Sequence, residues 1–459
     1  MNEVAEPGFR KIHPKLPLFR IPFRNKAVFY TPGRILLLPE READILEEAF
    51  RTEPHSGCYS HFHSNISALL TEAESNMKKW QEKFEKPFSP ECLTIYLSNE
   101  CNLRCTYCYT RAKADKDPAK GRIINPEAIN AAVRKVAEYC RMEQKQFVLV
   151  MHGGGEPTYH WSVLQDAFRA SREMADNAGI PFFSYIATNG IMNGKQARWL
   201  ARNFDLIGLS CDGEPDIQNR CRPARNGADA SDILERTASA ILDEGGRFMI
   251  RATVMPQSLH RLTDSVHYFV NRLNAGDIRV EPVYGSSSNG FLAENAPDFV
   301  HYFKEALQEA RRLGANLSFA GIRLNELHGA FCDITRNTLR LASTGDLVSC
   351  FMNVEGRASN LLDTNIGRYD KGSGQLVFNK GKIEKLKEKA AFLPEECRAC
   401  LNIYHCSRGC PDYCPPAAGA SREQEHPLNE FRCRIHQAIA LHQIQEEAMK
   451  LDHLLQQRN

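Results

Sequence analysis

The chain has 459 residues and a mass of 51.9 kDa, which is more than a single hydrophobic core usually organises. Hydrophobic residues make up 42% and charged residues 25% of it, as in ordinary globular proteins and unlike fibrous or disordered ones. The net charge of +2 gives no basic surface for nucleic acid or an anionic membrane. No apolar run approaches the ~20 residues of a membrane span, and the polar, proline-broken N-terminus is no signal peptide, so we expect a cytoplasmic protein.

Residues 1–92 are predicted to form a small N-terminal module. The segment KAVFYTPGRILLLPE has the pattern of two short strands around a Thr-Pro-Gly turn. The helix EREADILEEAF follows, with Ile45, Leu46, Ala49 and Phe50 on one face. A second helix is expected near SALLTEAESNMKKWQEKF.

From residue 93 to 319, strand-like and helical segments alternate. One helix begins after Asn125, an N-cap residue, with Pro126 in its first turn. Such alternation produces right-handed crossovers and a parallel sheet. Six strand–helix units are two short of a closed barrel, so we expect an α/β fold with a partial (β/α)6 TIM-like barrel, whose chemistry lies at the C-terminal ends of the strands. The predicted strands are 93–98, 147–151, 182–188, 206–210, 248–254 and 278–283.

The 16 cysteines are unusual for a chain with no sign of export, and their spacing argues against a disulfide framework. Neighbours two to four residues apart cannot all pair with one another, but their thiolates can converge on a metal ion or an iron–sulfur cluster. One tight group follows the first barrel strand. A second group occupies the C-terminal third, which is loop-rich and is expected to be organised by metal centres.

The first group, Cys101, Cys105 and Cys108, has the spacing C-x3-C-x2-C, with Tyr107 before its last cysteine. Three cysteines would leave one iron of a four-iron cluster open to a non-protein ligand, and a zinc loop with a distant fourth ligand is the alternative. The spacing resembles the signature of radical S-adenosylmethionine (SAM) enzymes. The resemblance implies a 4Fe-4S cluster that is held by these three cysteines and that binds SAM at its open iron.

The loops after the next strands resemble the SAM-binding motifs of the same family. Residues 152–157, HGGGEP, resemble the GGE(P) motif that holds the methionyl amino group. Ser210 and Arg222 are twelve residues apart, as in the sulfatase-maturing enzymes, where such a pair holds the SAM carboxylate; an exposed surface arginine is the alternative. Val254 would form an apolar wall for the adenine. The SAM-binding residues implied by resemblance are Tyr107, Gly153, Gly154, Gly155, Glu156, Pro157, Thr188, Asn189, Ser210, Asp212, Arg222 and Val254.

The second group resembles the seven-cysteine SPASM domain at every spacing, C-x9-15-G-x4-C, C-x2-C-x5-C-x3-C and a final C. A zinc ribbon is the alternative, but seven or more thiolates exceed what one tetrahedral zinc accepts. By resemblance, two auxiliary iron–sulfur clusters of the 4Fe-4S type are expected. Cys397, Cys400, Cys406 and Cys433 would hold one; Cys332, Cys350 and Cys410 would hold the other, with Cys414 as a candidate fourth ligand.

The resemblance divides the chain into four parts. Residues 1–92 either dock a leader peptide by strand addition or cap the barrel. Residues 93–319 form the radical SAM barrel, residues 320–435 the SPASM domain, and residues 436–459 a C-terminal helix packed on the body.

The function implied by the family is reductive cleavage of SAM to a 5′-deoxyadenosyl radical, which takes hydrogen from a residue of a ribosomally made precursor peptide and leaves a crosslink or other oxidative modification. The alternatives are formylglycine formation by the anaerobic sulfatase-maturing type and small-molecule cofactor biosynthesis. Phe351 stands where the sulfatase-maturing enzymes carry an aspartate proposed as the base, which counts against that type.

The expected partners are the peptide or protein substrate and an electron donor such as flavodoxin or ferredoxin, with no nucleic acid and no membrane. A non-catalytic iron–sulfur electron carrier is the rival class of protein. It is disfavoured because a carrier needs no SAM pocket.

Overall fold

The computed structural model describes residues 8–52, 63–108, 110, 121–283, 290–328, 337–350, 363–391, 393, 395–406 and 427–458. Four residues that the sequence singles out, Cys332, Phe351, Cys410 and Cys414, lie outside the described residues. None of the described helices is long and apolar enough to cross a membrane.

The N-terminal module comprises β1 (Arg10–Lys11), β2 (Phe19–Phe23), β3 (Lys26–Thr31), β4 (Arg34–Pro39), α1 (Glu40–Thr52) and α2 (His63–Glu85). Its strands form an antiparallel sheet in the order β1-β2-β3-β4. The two strands and the two helices expected from the sequence are present. The turn between β3 and β4 places Gly33 at a φ of +79°, a conformation that glycine adopts without steric cost.

The buried face of α1 differs from the predicted one. Ile45 is 57% exposed, whereas Leu46 and Phe50 are buried. Glu47 is buried as well, because its carboxylate accepts a hydrogen bond of 2.7 Å from the buried guanidinium of Arg20. An ion pair thus occupies part of a face that hydrophobicity alone would fill with apolar side chains.

Within the described ranges, the central sheet begins with seven parallel strands, which pair in chain order. The six predicted strands are confirmed, and those from 147 to 254 have the predicted bounds. A seventh, at the edge, was not predicted. The strands are β5 (Cys92–Ile95), β6 (Phe147–Met151), β7 (Phe182–Thr188), β8 (Leu206–Ser210), β9 (Phe248–Val254), β10 (Asp277–Pro282) and β11 (Asn316–Phe319).

Helices connect these strands, as the alternation predicts. The Asn125 side chain caps the first of them by accepting a hydrogen bond of 2.8 Å from the amide of Glu127. Cys140, on the same helix, is fully buried. The helices are α3 (Pro126–Met142), α4 (Trp161–Ala178), α5 (Gly194–Asn203), α6 (Pro215–Cys221), α7 (Ala230–Asp243), α8 (Leu262–Asn271) and α9 (Ala296–Arg312).

The C-terminal part extends the same sheet, although the sequence suggests that the strand alternation stops near residue 320. β12 (Thr338–Leu341) pairs parallel to β5 on its free side. β13 (Asp346–Val348), β14 (Asn365–Asp370) and β15 (Gln375–Phe378) follow in antiparallel order. The helices are α10 (Lys380–Ala391), α11 (Glu395–Arg398) and α12 (Pro427–Arg458), the last of which is the predicted C-terminal helix.

The N-terminal module is attached to these C-terminal segments. The Tyr30 hydroxyl lies 2.5 Å from His405 Nε2, and Trp80 Nε1 donates to the carbonyl of His328. Lys26 forms an ion pair of 2.5 Å with Asp452 of α12. The module therefore contacts the segment that carries the second cysteine group.

Candidate active site

The loop that carries the first three cysteines leaves β5 and is fixed against the chain that follows α6. Leu103 forms an isolated antiparallel bridge with Ala224. The amides of Arg104 and Thr106 donate hydrogen bonds of 2.8 and 2.9 Å to the carbonyls of Pro223 and Cys221. These bonds hold a short irregular loop in one conformation at the C-terminal end of the sheet.

The three thiols of this loop are half-buried and close enough to influence one another. Burial, together with the charges of Glu156 and of the other two cysteines, raises the pKa of Cys101 to about 12, and burial raises the pKa of Cys105 to about 11. Cys101 Sγ accepts hydrogen bonds from the Leu103 amide and from Asn189 Nδ2. Thiols of this kind ionise only beside a strong positive charge, such as a bound metal centre.

No group of three or more His, Cys, Asp or Glu side chains within the described ranges is arranged to hold a single metal ion. In a four-iron cluster each cysteine binds a different iron, so its thiolates need not converge on one point. The twelve cysteines in the described part of the chain are all free of disulfides.

The triple glycine after β6 lies directly against the base of the cysteine loop. The amides of Gly155 and Glu156 donate hydrogen bonds of 2.7 and 2.8 Å to the carbonyls of Ser98 and Glu100. A Cβ atom on Gly155 would lie 1.8 Å from the Glu100 carbonyl oxygen. Gly154 has a φ of +69°. The glycines therefore allow the two loops to pack backbone against backbone, a close approach that a side chain at Gly155 would prevent.

Glu156 is buried, and its carboxylate joins two loops. Its Oε1 accepts hydrogen bonds from the hydroxyls of Thr158 (2.8 Å) and Thr188 (2.6 Å), and its Oε2 accepts one from the Asn189 amide (2.8 Å). Burial raises the pKa of Glu156, and these hydrogen bonds oppose that rise. The carboxylate is thus occupied in fixing the loop after β7, and Pro157 is buried beside it.

The Asn189 side chain connects this network to the cysteine loop. Its Nδ2 donates to Asn102 Oδ1 at 2.7 Å and to Cys101 Sγ. Asn102 Nδ2 in turn donates to the carbonyl of Ile191. The sequence did not single out Asn102; its place directly after the first cysteine was the available signal.

A buried charged cluster lies beside Cys105 of the cysteine loop. Arg222 Nε forms an ion pair of 3.0 Å with Asp212 Oδ2, which also accepts a hydrogen bond of 2.5 Å from the Tyr107 hydroxyl. Arg222 Nη1 lies 3.9 Å from Cys105 Sγ. Although burial acts in the opposite direction, Asp212 raises the pKa of Arg222, which stays cationic beside the thiols. Arg222 is therefore no surface residue.

The other predicted SAM contacts lie at strand ends around this cluster. Ser210, the last residue of β8, is half-buried. Val254, the last residue of β9, is buried in the main core. The amide of its neighbour, Thr253, donates to Asp212 Oδ1 at 3.1 Å. The structure thus gathers the predicted residues at the C-terminal ends of five neighbouring strands, β5 to β9.

Residues 95–269 match the radical SAM superfamily. The chain contains a radical SAM domain. That domain includes the cysteine loop, the glycine loop 153–155 and the Arg222 cluster.

Two curated relatives are cysteine-type anaerobic sulfatase-maturating enzymes of Clostridium perfringens. The enzyme of strain 13 is 25% identical over 336 residues, which cover 68% of this chain and 86% of the relative. The enzyme of another strain is 26% identical over 174 residues, 38% of this chain, and there the chain spans only 46% of the relative. The radical SAM domain and this homology indicate an enzyme.

Solved structures share the fold. A structure described as native anSMEcpe with bound AdoMet superimposes with a TM-score of 0.60 at 18% identity over 78% of this chain and 99% of that one. Streptococcus suis SuiB bound to the precursor peptide SuiA superimposes with a TM-score of 0.51 at 15% identity over 90% of this chain and 98% of that one. The fold is thus the α/β radical SAM fold with a large parallel sheet.

Beyond the radical SAM domain, part of the second cysteine group meets the start of α12. Gln437 Nε2 donates to Cys400 Sγ, and His436 Nδ1 lies 3.5 Å from Cys406 Sγ. Cys433 is on the same helix, one turn earlier, and is exposed. The structure therefore brings Cys400 and Cys406 to the helix that carries Cys433. Cys397 and Cys350 are half-buried.

Proposed function

We propose that the protein is a radical SAM enzyme that cleaves SAM reductively and abstracts hydrogen from a residue of a ribosomally synthesised precursor peptide. The observation that supports the proposal is the cysteine loop of the matched domain, which carries Cys101, Cys105 and Cys108 and has the glycine loop 153–155 packed backbone to backbone on its base. The residues present fit a 4Fe-4S cluster with SAM: three thiols, a glycine loop against the cysteine loop, and the Arg222 cation paired with Asp212.

Each part of this site has a distinct task. Cys101, Cys105 and Cys108 would hold three irons of the cluster, and the loop 153–155 would offer backbone groups to the methionyl amino group of SAM. When bound, the cluster and SAM supply the one-electron cleavage that generates the 5′-deoxyadenosyl radical.

The neighbouring side chains orient these groups. Asp212 holds the Arg222 guanidinium in place, so that its positive charge stabilises the thiolates and an anionic ligand beside Cys105. Glu156 keeps the Thr188–Asn189 loop in place through its hydrogen bonds. Burial of these groups keeps water away from the reacting atoms.

A peptide substrate is supported by two comparisons. The curated relatives are sulfatase-maturating enzymes, and SuiB, which shares the fold over 90% of this chain, is bound to a precursor peptide in its structure. Phe351, in place of the aspartate of the sulfatase-maturing type, favours a different oxidation from formylglycine formation.

The N-terminal module is the proposed docking site for the leader part of that peptide. β4 is an edge strand of its sheet, and an open groove between β4 and α2 is lined by Arg34, Ser67, Thr71 and Glu72. An extended peptide can add to such an edge through main-chain hydrogen bonds. The module contacts the segment that carries the second cysteine group through Tyr30 and His405, so a leader bound to the module would lie close to that segment.

A Ser67→Trp substitution tests this docking site. The bulky side chain fills the groove and is expected to weaken binding of the precursor peptide at least ~10-fold, while SAM cleavage without peptide stays at the wild-type rate. Lys79→Trp, exposed on the same helix three turns further on, is the matched control. Wild-type affinity of the Ser67→Trp variant would refute docking in this groove.

The second cysteine group is proposed to hold two auxiliary clusters that accept the electron left when the substrate radical closes a new bond. Gln437 and His436 contact two of the thiols and would donate hydrogen bonds to a cluster held by Cys397, Cys400, Cys406 and Cys433. The other cluster would be held by Cys332, Cys350 and Cys410, with Cys414 as the candidate fourth ligand. Hydrogen-bond donors such as Gln437 and His436 stabilise the reduced form of a cluster and orient its ligands.

The activity is tested by anaerobic reconstitution with iron and sulfide, reduction and incubation with SAM. The expected product is 5′-deoxyadenosine, and short peptides encoded beside the gene are then screened for a mass loss of hydrogen. If the protein binds iron but yields no 5′-deoxyadenosine, the proposal is refuted. A non-catalytic iron–sulfur electron carrier would then be the better explanation.

Formylglycine formation is the second candidate, because the curated relatives carry that enzyme's name. A sulfatase peptide with a cysteine at the modified position is the substrate to test. Conversion of that cysteine to formylglycine, at a rate above that for the neighbouring encoded peptides, would favour this candidate.

A further inference from the structure

Two arginines lie side by side on the face of β9 and β10 that turns away from the hydrophobic core. Arg279 is the register partner of Arg251 in the parallel pair. Both are half-buried, whereas their strand neighbours Ile250 and Ile278 are buried in the core. Side chains alternate between the two faces of a strand, so both guanidinium groups lie on the side opposite to the core. We call this side the open face.

A third arginine, Arg323, acts on Arg279 through its charge. Two of these three arginines, Arg251 and Arg323, each have a carboxylate nearby that offsets their positive charge. Arg251 lies 3.7 Å from Glu281, and Arg323, which follows β11, is 2.8 Å from Glu326. Arg279 forms no ion pair and no hydrogen bond with any residue in the described ranges. The groups whose charge acts on it are Arg323, Tyr185, Arg251 and Glu281; burial, followed by the charge of Arg323, lowers its pKa.

Guanidinium groups whose charges act on one another repel, and partial burial weakens the screening of this repulsion by water. Such a cluster is usually stabilised by an anion, and the planar fork of arginine matches a carboxylate or a phosphate. Of these two anions, the carboxylate is the one that an unmodified peptide carries. The open face lies next to the candidate active site. Arg251 is the register partner of Ser210, which is the last residue of β8 and one of the predicted SAM contacts.

We propose that Arg279, with Arg251 and Arg323 beside it, binds a carboxylate of the peptide substrate on the open face. The inference rests on the proposed function and adds the substrate class: a peptide with an acidic residue in or next to the segment that is modified. Arg279 positions that segment and takes no part in the chemistry. The methionyl carboxylate of SAM has the same chemistry and is the other possible source.

The test uses two pools of N-acetylated, C-amidated heptapeptides that differ only in a central Glu or Gln, with Gly, Ala, Ser, Leu or Phe elsewhere. Binding to the reconstituted enzyme is measured by equilibrium dialysis and mass spectrometry, with no turnover. Wild-type enzyme is expected to prefer the Glu pool by about tenfold, the effect of one charge-assisted contact. A wild-type enzyme that binds the pools equally overturns the proposal.

Variants then assign the preference. Arg279→Gln is expected to abolish it and Arg279→Lys to keep part of it, while Arg169→Gln, an exposed arginine of α4, leaves it unchanged. Because Arg279 forms no ion pair and no hydrogen bond in the described ranges, its replacement is expected to leave the melting temperature nearly unchanged. A preference that survives in Arg279→Gln, or that saturating SAM abolishes, overturns the assignment. A failure to cleave SAM would instead refute the proposed function, since dialysis is independent of cleavage.

Discussion

Replacing Arg222 by Ala tests the buried charged cluster beside the cysteine loop. The Asp212 side chain is fully buried and pairs with a guanidinium that is itself 10% exposed, at 3.0 Å. Truncation of Arg222 leaves that carboxylate without its counter-charge, which costs about 3–5 kcal/mol of unfolding free energy in buried pairs. The Tyr107 hydroxyl and the Thr253 amide still donate to Asp212 and offset part of this cost.

The assay is urea denaturation of the cluster-free protein, with hydrogen exchange at the Thr253 amide as the local measurement. Adding Asp212→Asn to the variant is expected to restore about 1–3 kcal/mol, because the two side chains interact directly. Arg202→Ala, which removes an exposed ion pair with Glu244, is the control and should change little. An Arg222→Ala loss below about 1 kcal/mol, or strictly additive losses in the double variant, would contradict the buried-pair explanation.

Three further predictions concern the cofactor sites. Cys105→Ala should lower the iron of reconstituted protein from about twelve to about eight per chain and abolish 5′-deoxyadenosine formation; unchanged iron with retained cleavage would contradict the ligand assignment. Gly155→Ala should impair SAM cleavage, because its Cβ would meet a backbone carbonyl at 1.8 Å, whereas Gly276→Ala, with nothing within 4 Å, should be neutral. Replacing Cys397 and Cys400 by Ala should leave 5′-deoxyadenosine formation but remove modified peptide in monodisperse protein; product in proportion to cleavage would leave the auxiliary clusters only a structural role.

Several parts of the fold could be predicted from local sequence because local interactions decide them. The strands Phe147–Met151, Phe182–Thr188, Leu206–Ser210 and Phe248–Val254 have the predicted bounds, since each is an apolar run bounded by polar or glycine-containing turns. The cap at Asn125 was likewise visible in the sequence, because capping involves residues only two positions apart.

Long-range pairings could not be predicted in the same way. β12 lies beside β5 although more than two hundred residues separate them, and no pattern within Thr338–Leu341 specifies that partner. The burial of Glu47 on α1 depends on Arg20, which belongs to the strand β2. A helical period indicates which residues share a face, but the neighbour of that face decides which side chains it buries.

The candidate site likewise combines features that were visible in the sequence with contacts that depend on the fold. The spacing of Cys101, Cys105 and Cys108 and the glycines after β6 could be read from the sequence, because a loop that binds a cluster needs its ligands within a few residues. The pairing of Arg222 with Asp212 beside Cys105, and the lack of an ion pair at Arg279 within the described ranges, are visible only in the tertiary structure. Charges from separate strands meet only after the sheet has formed, so their compensation is a property of the fold and not of any segment.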